Sequence, residues 1–308
     1  MPAVTWIALA FCGPILWAVS THIDKYLVER FFKDSDVGAL LIFTALIGIP
    51  GMPLIAAFTD VMSLGRVGIM VTSVSGLLYL TAIYFYLRAL QQEEASVIAP
   101  LFQTSTLFTY VIAYFVLHET LTSWRIVGGA LVMASAVVAS YEPSGSRHKV
   151  KWGVVAPILV CTAVLAGSAV MFKYFAIQDA FWPVTFWSFA GQAVFGVILL
   201  AIPKIRSQFF GMFRKHPGAV LGINAANELI NLGGGLAARY ASLLGPVSLV
   251  QAIGGTTSFF VFAFGVILSL FFPKLGRENL SSRNLIQKAI AVTLIVAGVI
   301  LIGSDATY

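Results

Sequence analysis

The chain has 308 residues, 59% of them hydrophobic and only 10% charged, with a net charge of +6. A soluble domain of this length does not keep such a composition in water, so a mean hydropathy of +0.91 places the chain in the membrane class. The basic excess does not mark a nucleic-acid binder, because the Lys and Arg residues flank apolar segments instead of gathering on one soluble face.

An apolar run of about 18 residues or more can cross a bilayer as a helix. Ten such spans are predicted, roughly at 4–23, 38–58, 67–90, 96–117, 124–141, 153–175, 181–202, 218–241, 247–272 and 285–303. Strand-like alternation is absent, which argues against a β-barrel. The first span lacks a basic n-region and a cleavage site and is expected to be retained. It carries Trp17 and Ser20 and ends at His22, Asp24 and Lys25. Cys12 and Cys161 fall inside spans and read as small buried apolar residues. The third span holds Tyr79 and closes on Arg88; the fourth holds Gln103 and Thr106 after Pro100. The segment YEPSGSRHKVKW, 141–152, reads as an exposed connection between halves. Lys173 closes the sixth span, and Arg239 the eighth. The ninth span contains Gln251 and Thr256.

The halves echo one another. The stretch ASVIAPLFQTSTLFTYVIAYFVLHETLTSWRIVGGALVMASAVVAS in the first is matched by PVSLVQAIGGTTSFFVFAFGVIL and QKAIAVTLIVAGVILIGS in the second. Each is a helix opening near a Pro, a polar turn and a Gly-containing helix. Repeats of five spans are inverted in a bilayer because five is odd, which is an architecture of secondary transporters. The expected fold is therefore an all-α polytopic membrane protein with ten transmembrane helices in two inverted five-helix repeats, 1–146 and 147–308. Fifteen Lys and Arg fall in loops after odd-numbered spans and four after even-numbered ones. This bias puts both termini outside the cytoplasm, in a cell (inner) membrane.

Glu228 is the sharpest functional candidate. It sits about ten residues into the eighth span, among Asn224, Asn227 and Asn231, and shares a helix face with Asn224 and Asn231. A charge at a helix centre costs roughly 2.5–3.5 kcal/mol on insertion scales, so it needs a partner or a task. Two readings stand: a proton-coupling or substrate-binding acid, and a structural carboxyl held by the Asn cluster. Asp24, Lys25, Arg88, Lys173 and Arg239 are gate candidates. IDKY at Lys25 aligns with MFKYF at Lys173, and Lys25 is a candidate to pair with Glu93 or Glu94. Snorkelling is the plain alternative. If several of these basic residues point inward, an anionic substrate follows. Trp17, Ser20, Tyr79, Gln103, Thr106, Gln251 and Thr256 are candidates for a cavity lining suited to an organic metabolite. Gly128–Gly129, Gly233 to Gly235 and Gly254–Gly255 read as close helix contacts, and the middle group also as a loosening of the eighth span.

The chain resembles the ten-span EamA-type members of the drug/metabolite transporter superfamily. The resemblance rests on EEASVIAPLFQTSTLFTYVIAYFVLHETLTSWRIVGGALVMASAVVAS, with Pro100, Glu119, Thr120, Leu121, Thr122, Gly128 and Gly129 in the family's fourth and fifth helices. WAVSTHIDKYLV is similar to its first. The second half departs, with Pro246 and Gln251 where the first has Ala95 and Pro100. Members of that family generally keep their termini in the cytoplasm, the reverse of the charge bias here. The resemblance implies a substrate site between the halves, lined by the first, third, fourth, sixth, eighth and ninth spans.

No nucleophile elbow, nucleotide loop or metal-spaced cluster is present, so no enzyme, cofactor or metal site is expected. The leading expectation is a multi-pass secondary transporter exporting a small organic metabolite by alternating access, coupled to protons through Glu228. Its partners are that metabolite, protons and the lipid bilayer, with no nucleic acid, and it works as a monomer or homodimer. The alternatives are a translocase of lipid-linked sugars or lipids and a non-transporting membrane partner protein.

Overall fold

The computed structural model describes residues 3–31, 36–90, 101–102, 104–140, 152–177, 180–215, 217–271 and 282–304. Every regular element among them is helical, and the protein is an all-helical membrane protein. In the first half these are α1 (Ala3–Phe31), α2 (Val37–Leu46), a 3-10 turn (Ile49–Gly51), α3 (Met52–Phe58), α4 (Gly65–Leu90), α5 (Thr104–Leu117) and α6 (Ser123–Ser140). The second half has α7 (Trp152–Ala176), α8 (Phe181–Ala201), α9 (Pro203–Lys215), α10 (Pro217–Leu244), α11 (Val247–Gly254), α12 (Thr257–Phe271) and α13 (Ser282–Ser304). Among the described residues, six stretches are long and apolar enough to cross a membrane: Thr5–Asp24, Val37–Phe58, Gly65–Ala89, Val155–Ala176, Phe181–Ala201 and Val247–Leu268.

Two of these stretches are broken helices. In Val37–Phe58, the Gly48-Ile49-Pro50-Gly51 sequence interrupts the helix, since Pro50 has no N–H to continue the ladder. In Val247–Leu268, the ladder changes register at Gly255 and Thr256, whose N–H groups reach the carbonyls of Ala252 and Ile253. Sequence reading treats both as single spans. It also leaves 203–215 in a loop, whereas these residues form α9. That helix buries Ile205, Phe209 and Met212 at i, i+4 and i+7 against the core around Leu27, Ile42 and Leu80. Asp36 caps α2 through its own carboxylate, which accepts from the Gly38 N–H at 2.9 Å. Its N–H donates to Gln208 Oε1 at 3.0 Å, which ties α9 to the start of α2.

Small residues set the crossings. A Cβ on Gly128 would lie 2.6 Å from the Gly298 carbonyl oxygen, and one on Gly298 the same from Gly128, so α6 and α13 meet backbone to backbone. Gly76 and Gly191 do the same for α4 and α8, each facing a serine carbonyl, Ser188 and Ser73. Gly13 and Gly234 face each other between α1 and α10. Ser75 and Ser168 exchange hydroxyl-to-carbonyl hydrogen bonds of 3.4 and 3.3 Å between α4 and α7.

The packing partners follow a pattern. The most extensive contacts are α1 on α10, α6 on α13, α4 on α8 and α7, α5 on α7 and α2 on α8, with α1 also against α12 and α5 against α11. Exchange each helix for the one that fills the same predicted span in the other half, α11 and α12 sharing one span and α9 standing outside the scheme: α1–α10 becomes α7–α4, and α1–α12 becomes α7–α5. The pairs α6–α13, α2–α8 and α5–α11 map onto themselves, whereas α4–α8 maps onto α10–α2, which touch only slightly.

Candidate functional site

One face of α10 organises the polar interior. Asn224, Asn227 and Glu228 are 0%, 1% and 3% exposed, values a core leucine would have. Thr44 of α2 donates to Glu228 Oε1 at 2.7 Å, and Asn231 donates to Oε2 at 3.4 Å. Asn227 Nδ2 donates to Asp24 Oδ1 of α1 at 2.7 Å, and Ser20 also hydrogen-bonds Asp24. The two carboxyl groups lie within electrostatic reach of each other. No basic side chain among the described residues pairs with either. Among the described residues, neither side-chain atom of Asn224 has a hydrogen-bond partner, nor has Asn227 Oδ1. Buried polar groups of this kind ordinarily find partners, so this cluster holds unspent hydrogen-bonding capacity.

Trp17 fixes the wall beside it. Its indole packs on Gly234, where a Cβ would come to 3.0 Å from Nε1, and it reaches Gly254 at the break between α11 and α12. α10 itself runs unbroken through Gly233 to Gly235. Tyr79 of α4 lies within electrostatic reach of both Glu228 and Arg239. Arg239 follows Glu228 by about three turns, roughly 16 Å along the same face. Its Nη2 donates to Ser188 Oγ of α8 at 3.3 Å, and the guanidinium sits 4.8 Å over the Phe172 ring of α7.

The far end of α10 is built differently. Lys173, at the end of α7, is buried; its Nζ bonds Glu119 Oε1 at 2.5 Å and the Gly245 carbonyl at 2.7 Å. Glu119 Oε2 accepts from the Val247 N–H at 3.2 Å. The ammonium thus meets the C-terminal end of α10 and the carboxylate the N-terminal end of α11, each favoured by the helix dipole there. His118, with φ 53°, turns the chain out of α5 so that Glu119 points inward. This junction joins four elements: α5, α7, α10 and α11.

The remaining candidates are dispersed. Thr106 of α5 is buried with an unpartnered hydroxyl, while Thr256 donates to its own helix at Ile253. Gln251 is half-buried on α11. Arg88 is exposed and lies 5.6 Å over the ring of Tyr84, one turn back on its own helix. Gln103, Glu93, Glu94 and the side chain of Lys25 lie outside the described residues. Sequence reading missed Thr44, Ser188 and Phe172, and took Glu119 only as part of a turn motif. Thr44 had a signal, as the lone hydroxyl of the apolar run VGALLIFTAL.

Residues 4–141 match the model of the EamA-like transporter family. No curated protein matches the chain. Among 25 solved chains that match is a crystal structure of a protein 16% identical over 98% of this chain and 98% of its own, with a TM-score of 0.68. At that identity the likeness speaks for the fold alone.

Proposed function

We propose that this multi-pass membrane protein is a secondary transporter of a small organic metabolite, coupled to protons through Glu228; the match of residues 4–141 to the EamA-like transporter family model supports this reading. The two halves, 1–146 and 147–308, act as inverted five-helix repeats and together make ten spans. The exchange of most large packing pairs between the halves supports this reading, α4–α8 being the exception. The residue bias of the loops supports termini on the non-cytoplasmic side of the inner membrane.

One observation carries the mechanism: Glu228 and Asp24 are held at depth by Thr44, Asn231, Asn227 and Ser20, with no described cation to neutralise them. An uncompensated buried carboxylate is costly as an anion, so it takes a proton or a cation to cross the membrane interior. In the cycle, protonation at Glu228 permits the conformations that carry the site across, and substrate and proton exclude each other there. The Lys173–Glu119 junction holds one end closed while the acid cluster exchanges at the other. Alternation requires that junction to open and its ions to be rehydrated. The direction proposed is export.

The test is substrate-release profiling of cells expressing the native chain and Glu228→Gln at equal membrane levels, followed by transport in proteoliposomes under a pH gradient. The substitution keeps the side chain's shape and one hydrogen-bonding oxygen, so the protein stays folded, while gradient-driven transport is lost. Full activity with unchanged pH dependence overturns the role of Glu228.

A further inference from the structure

We propose that the space around Arg239 is a binding site for a carboxylate group, so that the cargo is an organic acid or carries one. Only the identification of this ligand as cargo rests on the transport reading above; the site does not.

Arg239 is the observation that carries the inference. A guanidinium stays charged inside a protein and offers five N–H donors in a rigid fork. Here one hydrogen bond is made, to Ser188 Oγ, and the flat face is covered by Phe172. No carboxylate pairs with it among the described residues. Lys173, by contrast, has both a carboxylate and a carbonyl. Among the described residues, Arg239 therefore holds a positive charge inside the bundle without a counter-ion, an arrangement that costs stability unless an anion completes it.

The surroundings suit a small ligand. The backbones of α8 and α10 pack little on each other, and the arm of Arg239 reaches from one to the other at Ser188. Ser188 lies on α8 one turn from Thr185, whose buried hydroxyl has no partner. Tyr79 enters from α4 within electrostatic reach of the guanidinium. Stacking on Phe172 takes up only the flat face of the guanidinium, whereas an Arg pairs with a carboxylate in its plane, through the edge of the fork. Phe172 and Tyr79 add aromatic surface for the remainder of the molecule. The acid cluster three turns away repels a second anion, so the ligand carboxylate is drawn to the Arg239 end.

The test uses benzoate and its neutral isostere benzamide on the full-length protein purified in dodecyl maltoside, which carries no oxyanion of its own. Benzoate is expected to raise the unfolding temperature saturably, and benzamide at equal concentration is not. Arg239→Gln weakens the benzoate response roughly tenfold or more, as loss of a charged hydrogen-bond partner implies. Arg239→Lys keeps the charge without the fork and retains an intermediate affinity. Absence of a benzoate response in the native protein, an equal benzamide response, or unchanged benzoate affinity in either variant overturns the site. Should Arg239→Gln not elute as a folded species, Arg239→Lys decides alone by the same criterion. Glu228→Gln is expected to keep benzoate binding, so failure of proton coupling and failure of this site give different results.

Discussion

The middle of α10 and its C-terminal end carry charge on opposite terms. At the Gly245 end, Lys173 and Glu119 satisfy one another, and each also satisfies a helix terminus. Around Glu228, two carboxyl groups lie among three asparagines, and neither side-chain atom of Asn224 has a partner among the described residues. About 25 Å of helix separates Glu228 from Gly245. A saturated network holds elements together; an unsaturated one at equal burial stands ready to receive something. The same protein interior thus contains a fastening and a candidate site, distinguishable by what each polar atom already has.

The comparison breaks most visibly at Lys173. Replacing it by Met strands the Glu119 carboxylate, and loss of one partner of a buried pair costs about 3–5 kcal/mol. We expect Lys173→Met to lose much of its folded fraction in a heating series read by size-exclusion chromatography. The double variant Lys173→Met, Glu119→Gln is expected to recover most of it, because nothing charged is then left alone. A double variant no better than the single one would mean that the junction depends on geometry more than on charge.

Asn224 tests the middle of the helix with the opposite sign. Leu has nearly the shape of Asn but no polar atoms, and each unsatisfied buried group costs about 1–3 kcal/mol. Asn224→Leu is expected to raise the unfolding temperature while abolishing transport. Gain of stability with loss of function is the signature of a group kept for a ligand. Loss of both would mean that Asn224 already serves the fold.

Much of this contrast is written in the sequence, and the missing parts share a cause. Glu228 is legible because a charge in an apolar run has no cheap explanation. The pairing of Lys173 with Glu119 is not, since the residues lie 54 apart and α10 and α11 must be placed before the two meet. α9 is hidden by its basic residues, although Ile205, Phe209 and Met212 carry a helical period. The break at Gly254–Gly255 looks like packing glycine until the register change at Thr256 is seen. Local chemistry is readable one residue at a time; closure of a hydrogen-bond network is a property of the fold.

Thr44 gives the smallest effect and the finest distinction. Its hydroxyl donates to Glu228 Oε1 at 2.7 Å, and Thr44→Val removes that donor while keeping the branched shape. A hydrogen bond to a neutral group is worth about 0.5–1.5 kcal/mol, and one to an ion about 1.5–3. The destabilisation caused by Thr44→Val therefore reports whether Glu228 is ionised in the resting protein. Comparing native and variant unfolding temperatures at mildly acidic and mildly basic pH reads this out. A loss that grows with pH marks a carboxyl exchanging its proton in that interval, as coupling requires. A loss that is the same at both values marks a group fixed in one state, which would make Glu228 part of the scaffold and leave Asp24 as the acid free to exchange.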